Sequence, residues 1–251
     1  MRHVALALLV FCLWLTPAFA ADQNDEPDPD TGPRDQADGG DFDTAYYLTV
    51  GRAVRLYDLT RLNHNLDRGG VDPFTGVIDD WNFELAFIIP RTAHFALVGG
   101  FWDQKTGGRP VHAELRGFEI YGRWGMPLFR KDMFFLYPTF GIGYAQRVLE
   151  LDGRLAALGS HDLPSRGSVD IKQRGMLFEV GFRFDLIDGS PDESRAAFLF
   201  AESFMIGWMG VPVASDWQQG DRKVSGIPDD MIHTLFAKVN IGFGVATRKA
   251  H

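Results

Sequence analysis

His64, Asp103 and His112 are the side chains best suited to move a proton during a reaction. A histidine changes charge near neutral pH, and a carboxylate beside it can orient it. Acyl transfer needs a hydroxyl or thiol nucleophile as well. None stands where it is needed: no His-x-Ser spacing occurs, Asp103 is followed by Gln104, and the single cysteine is Cys12. The expectation is no catalytic residue, with these three as the only candidates. Neither a metal nor a cofactor is expected. His94, His112, His161 and His233 are scattered with no pair at zinc-protease spacing, and one cysteine excludes a cysteine zinc site. Gly141-Ile142-Gly143 lies inside an apolar run, which is not where a dinucleotide fingerprint sits.

A second constellation carries charge rather than reactivity. Glu84, Glu119, Arg123, Glu179, Arg183 and Lys238 each alternate with bulky apolar residues. Phe178, Val180, Phe182 and Phe184 oppose Glu179, Gly181, Arg183 and Asp185. Phe118, Ile120 and Trp124 oppose Glu119, Tyr121 and Arg123. Trp81, Phe83, Leu85, Phe87 and Ile89 oppose Asn82, Glu84 and Ala86. Ala237, Val239, Ile241, Phe243 and Val245 oppose Phe236, Lys238, Asn240, Gly242 and Gly244. Period two is the signature of a strand with two unlike faces. Charges withdrawn from water must be matched, so these are expected to pair as a lattice that fixes one strand register. Glu202 is grouped with them, although Phe198, Phe200, Phe204 and Trp208 share its parity; a bulge near Glu202-Ser203 reconciles the two.

For such charges to meet, the strands must curl round them. Eight β-like runs are available: 44–57, 79–90, 92–103, 111–126, 134–151, 168–187, 195–210 and 233–247. Glycines inside several runs suit the bends of a closed sheet. The gaps alternate in length. Arg91, Pro127–Met133 and Asp188–Ser194 are short, whereas the gaps 58–78, 104–110, 152–167 and 211–232 are mostly longer. Alternation is expected where the two ends of a barrel face different compartments. The runs reach the roughly 9–11 residues that a tilted strand needs to cross a bilayer, and a bilayer forbids open edges. Tyr46, Tyr47, Tyr57, Trp81, Trp102, Trp124, Phe134, Tyr137 and Trp208 fit aromatic girdles at the two interfaces.

On these residues the chain resembles the small eight-stranded outer-membrane barrels of Gram-negative bacteria, OmpA/OmpX-like in the broad sense, over about residues 44–247. The resemblance implies an all-β, eight-stranded antiparallel up-and-down transmembrane β-barrel. It also implies outer-membrane lipid and lipopolysaccharide as surroundings and the barrel assembly machinery as a partner. Asn240-Ile241-Gly242-Phe243-Gly244-Val245 partly matches the terminal strand that this machinery reads. An interior of eight strands is just wide enough for its own side chains, so an open channel is not expected.

The remainder is legible from composition. Arg2 and His3, the apolar run Val4–Leu15, then Pro17 and Ala18-Phe19-Ala20 lay out a signal peptide over residues 1–20. Residues 21–43 form a disordered acidic linker. Nine acids against Arg34 give it a net charge of −8, which accounts for the −8 of the whole 251-residue chain. Residues 248–251 are a short tail. With so little basic charge, nucleic-acid binding is excluded.

Three functions follow in order. The first is a non-enzymatic outer-membrane barrel acting through structure or through its outer loops. Those loops offer Arg61, His64, Asp67, Arg68, Trp217, Asp221, Arg222, Lys223, Asp229 and Asp230. The second is a lipid A-modifying acyltransferase or deacylase barrel. The third is a soluble periplasmic ligand-binding barrel of lipocalin type, with the apolar face turned inward.

Overall fold

The computed structural model describes residues 44–89, 92–107, 111–131, 134–158, 162–189, 196–228 and 233–247. The proposed signal peptide, acidic linker and tail lie outside these residues, as do His161, Asp229 and Asp230. In chain order the elements are β1 (Thr44–Tyr57), α1 (Thr60–Asp67), β2 (Val77–Ile89), β3 (Ala93–Thr106), β4 (Val111–Gly125), β5 (Phe129–Lys131) and β6 (Phe134–Gly153). A 3-10 turn (Leu155–Leu158) follows, then β7 (Gly167–Gly189), β8 (Ala196–Ala214), β9 (Gln218–Gln219), β10 (Arg222–Lys223) and β11 (His233–Thr247).

Eight strands close on themselves in the order β1-β2-β3-β4-β6-β7-β8-β11, every neighbour antiparallel. Closure abolishes the edges that would otherwise expose unpaired backbone groups. Pairing from Leu48 through Leu85, Leu97, Gly122, Ile142, Phe178, Gly210 and His233 returns to β1 one position beyond Tyr57, ten residues higher. That stagger tilts the strands by roughly 40° and leaves an interior that side chains fill.

Of the run 195–210, the described residues 196–210 are strand. β8 pairs with β11 without interruption from Gly210 to Ala196. The expected bulge at Glu202-Ser203 is absent, and the irregularity lies higher up. Val211 and Pro212 together stand opposite Leu177 of β7, where the register shifts. Pro212 cannot donate to a ladder, and a bulge is a site in a closed sheet that tolerates it.

Period two sorts the side chains as the sequence indicates. Leu48, Phe83, Leu85, Leu97, Phe118, Val180, Phe182, Phe198, Val239 and Phe243 are exposed round the wall. A soluble protein seldom exposes so continuous an apolar surface. A bilayer is the solvent that it fits, and the inside-out soluble barrel has no support. The aromatic set divides, however. Tyr46, Trp81, Trp124 and Trp208 face out, but Tyr47, Trp102 and Tyr137 are buried within the barrel. Parity, not aromatic character, decides which side a residue takes.

Candidate functional site

The interior is a stack of three layers. At the end where β1 begins and β11 finishes, Ala45, Ile88, Phe135, Ile187, Leu199 and Ala246 close the floor. Above them lies the lattice. Glu84 joins Arg123 (2.6 Å) and Arg183. Glu179 accepts from Arg123 (2.6 Å), Lys238 (2.9 Å) and the Tyr121 hydroxyl (2.6 Å). Glu119 accepts from Arg55 (2.7 Å), which also meets Asp80. Asp185 accepts from Arg183 (2.6 Å) and the Tyr47 hydroxyl (2.9 Å). His94 packs beside Tyr47, 3.1 Å from its hydroxyl.

Among the described residues, the buried charges comprise five anions (Asp80, Glu84, Glu119, Glu179, Asp185) and five cations (Arg55, Arg123, Arg147, Arg183, Lys238). The balance matters because an unmatched charge this deep costs several kcal/mol. Around Gly51, Thr49, Asn82 and Asn240 present buried polar atoms that no protein group answers. Such groups ordinarily hold water.

Of the charges expected in the lattice, Glu84, Glu119, Arg123, Glu179, Arg183 and Lys238 are brought together. Glu202 is not. It keeps the outward parity of Phe200 and Phe204, between Leu186 and Ile241, because no bulge precedes it. Its neighbour Ser203 faces inward instead. Glu202→Leu is therefore expected to stabilise the barrel by about 1 kcal/mol, since a charge on the lipid face is unfavourable. A lower urea midpoint in that variant would contradict the placement. Four further lattice members, Arg55, Asp80, His94 and Asp185, were not assigned to it from the sequence. The alternation that marks Glu84 and Glu179 extends to three of them: Arg55 shares the parity of Tyr47 and Thr49, Asp80 that of Glu84, and Asp185 that of Glu179.

The third layer closes the outer end. β4, β6 and β7 run past the apolar wall, and above the lattice their inward faces turn apolar with Val111, Leu115, Leu149, Leu151, Val169 and Ile171. The first long loop folds onto them. Leu62 and Leu66 recur at helical spacing along α1, and with Leu59, Val71 and Phe74 they bury that side of the loop. Asp58 steadies the start of α1: the backbone N–H of Thr60 donates to its Oδ1 (3.1 Å). The Thr60 hydrogen bonds, that of its side chain foremost, hold the Asp58 carboxyl below its usual range. From the last long loop Trp217 and Val224 join, the Trp217 indole N–H donating to the Pro228 carbonyl (2.9 Å). Trp102 packs into the same apolar cluster. A Cβ on Gly117 would stand 2.1 Å from its ring, so only glycine fits there. Between cap and lattice remains a cavity of about 20 Å³ lined by Tyr57, Trp102, Glu119, Arg147 and Met209, room for about one water.

The acid–base candidates do not converge. His64 is exposed on α1, where its Nε2 lies 3.2 Å from Arg68. Asp103 faces out on β3 opposite Arg116. His112 faces out on β4 opposite Asp152, four residues further along the ladder, or about 13 Å. Among the described residues no group of three or more metal-ligating side chains occurs. In the loops, Arg61, Asp67, Arg68, Asp221, Arg222 and Lys223 are exposed, with Lys223 bound to Asp216 (2.8 Å), whereas Trp217 is part of the cap.

No protein-family model matches the chain, and no curated protein matches it. Several solved structures share the barrel. Ail of Yersinia pestis, solved with the heparin analogue sucrose octasulfate, is 8 % identical over 81 % of this chain and 99 % of its own, with a TM-score of 0.41. OprG of Pseudomonas aeruginosa is 15 % identical over 84 % and 99 %, TM-score 0.35. Neisserial surface protein A is 8 % identical over 82 % and 99 %, TM-score 0.32.

Proposed function

We propose that the chain is an integral outer-membrane barrel, exported by a cleaved signal peptide and inserted by the barrel assembly machinery. It performs no catalysis and acts through the outer surface of its cap and the lipid around its wall. One observation supports this above all. The lumen is filled from floor to cap, with paired charges and then an apolar plug, so the surfaces left to meet a partner are external. The basic and acidic side chains on the outer faces of the cap are the groups that such a partner touches. Lipopolysaccharide is part of its surroundings.

The lipid A-modifying reading has less support, since His64, Asp103 and His112 stand apart among the described residues. Unchanged lipid A masses in cells making the protein would exclude it.

The test of the main reading joins a gel to a conductance trace. The membrane fraction, run cold in SDS, is expected to migrate differently from the boiled sample. The refolded chain in a planar bilayer is expected to carry no steady current. Recovery in the soluble periplasm, or a stable open conductance, would overturn it.

A further inference from the structure

The wall of β7 changes character at one level. Its outward residues run Phe184, Phe182, Val180, Phe178 and Met176, and then Arg174 and Lys172. β6 changes at the same rung, where Tyr144 gives way to Gln146, and β4 beyond it changes one rung further along, where Phe118 gives way to Arg116. Arg174 stands directly opposite Gln146, and Lys172 opposite Val148. Directly opposed side chains are about 5 Å apart at Cβ, and Lys172 follows Arg174 by about 7 Å on the same face.

Three features make this more than a charged rim. Both basic side chains are exposed and, among the described residues, neither has an ion-pair partner. Three other outward cations of the barrel strands are, by contrast, engaged: Arg52 with Asp79, Lys105 with Glu114 (3.1 Å), and Arg116 with Glu150 (2.6 Å). The Tyr144 hydroxyl donates to Oε1 of Gln146 (3.1 Å), which leaves the amide hydrogens of Gln146 as donors beside Arg174. The backbone is held as well, because Ser215 and Arg174 exchange hydrogen bonds (2.6 and 3.1 Å).

We propose that Lys172, Arg174 and Gln146 form a binding site for the phosphate of an outer-leaflet glycolipid of the lipid A type. Its acyl chains lie along Met176, Phe178 and Phe118. An ammonium, a guanidinium and an amide N–H are the donors that a phosphate monoester accepts. The site occupies the first polar rung above hydrocarbon, where such phosphates lie. This rests on the outer-membrane reading above and deepens it by naming the lipid group and the residues that hold it.

The test titrates the folded chain in detergent micelles with diphosphoryl lipid A and follows the lipid-bound fraction by native mass spectrometry. The double variant Lys172→Gln/Arg174→Gln is expected to bind on the order of 30-fold more weakly than the parent, at about tenfold per 1.4 kcal/mol and about 1 kcal/mol per basic residue. Arg52→Gln, which removes a wall cation already paired with Asp79, should bind as the parent does. Lipid A stripped of its phosphates should bind parent and variant alike. Equal binding of diphosphoryl lipid A by parent and Lys172/Arg174 variant overturns the site. So does an equal loss in Arg52→Gln. The gel shift is recorded on the same samples. If it persists while binding is indifferent to Lys172 and Arg174, the site alone fails; if the parent lacks it, the membrane reading fails with it.

Discussion

Replacing Glu179 by Leu is expected to lower the unfolding free energy of the barrel by about 3–5 kcal/mol. Glu179 is fully buried and accepts from Arg123, Lys238 and Tyr121 at once. Its loss leaves Lys238 without a carboxylate partner and Arg123 with Glu84 alone. Glu179→Gln, which keeps the shape and some of the hydrogen bonds, is expected to cost less. Arg123→Met combined with Glu179→Leu should cost less than the two changes added together, because one removed charge relieves the other. Urea titration of the folded band on cold SDS gels measures the parent, the three single variants and the double variant. Glu179→Leu with an unchanged midpoint would mean that water enters the lattice freely enough to replace the carboxylate.

The second large effect belongs to the cap. Leu66→Asp should raise the rate of tryptic cleavage at Arg61 and Arg68 on the order of 100-fold while leaving the heat-dependent gel shift intact. Leu66 is buried among the apolar residues of the cap, where an unpaired carboxylate costs several kcal/mol. Cleavage of a native protein follows the population of its opened form, and about 3 kcal/mol corresponds to that factor. The cap and the barrel floor are separate apolar clusters. The first can therefore open without the second, as elements of one fold commonly differ in local stability. Loss of the gel shift in this variant would show that the cap is needed for the barrel itself.

The strands were legible for a plain reason. A sheet with lipid on one side and charge on the other enforces alternation residue by residue, and Phe178 to Asp185 or Trp81 to Ile89 can hardly be read otherwise. Glu202 escaped because a carboxylate on a lipid face contradicts the rule that assigns its neighbours. Only the uninterrupted pairing of β8 with β11 decides for the outward side. Arg55 and Asp80 escaped because they stand near the outer ends of their strands, where a charge reads as a loop residue. The cap was not legible at all. Leu59, Leu62 and Leu66 have helical spacing, but a single short helix is marginal by itself. It exists here because β4, β6 and β7 present an apolar surface that the loop can cover. Trp102 was expected at an interface because a girdle and a plug recruit the same aromatic chemistry.

The ion pairs of the lattice reach across the barrel more than along it. Glu84 on β2 meets Arg183 on β7, Arg55 on β1 meets Glu119 on β4, and Lys238 on the last strand meets Glu179. In a sheet that has not yet curled, these partners stand four, three and two strand widths apart. A partly assembled barrel thus bears the expense of withdrawn charge without the relief, and the relief arrives almost at once when β11 meets β1. Insertion should therefore run as a single late event, with half-made sheets returning to water sooner than lingering in the bilayer.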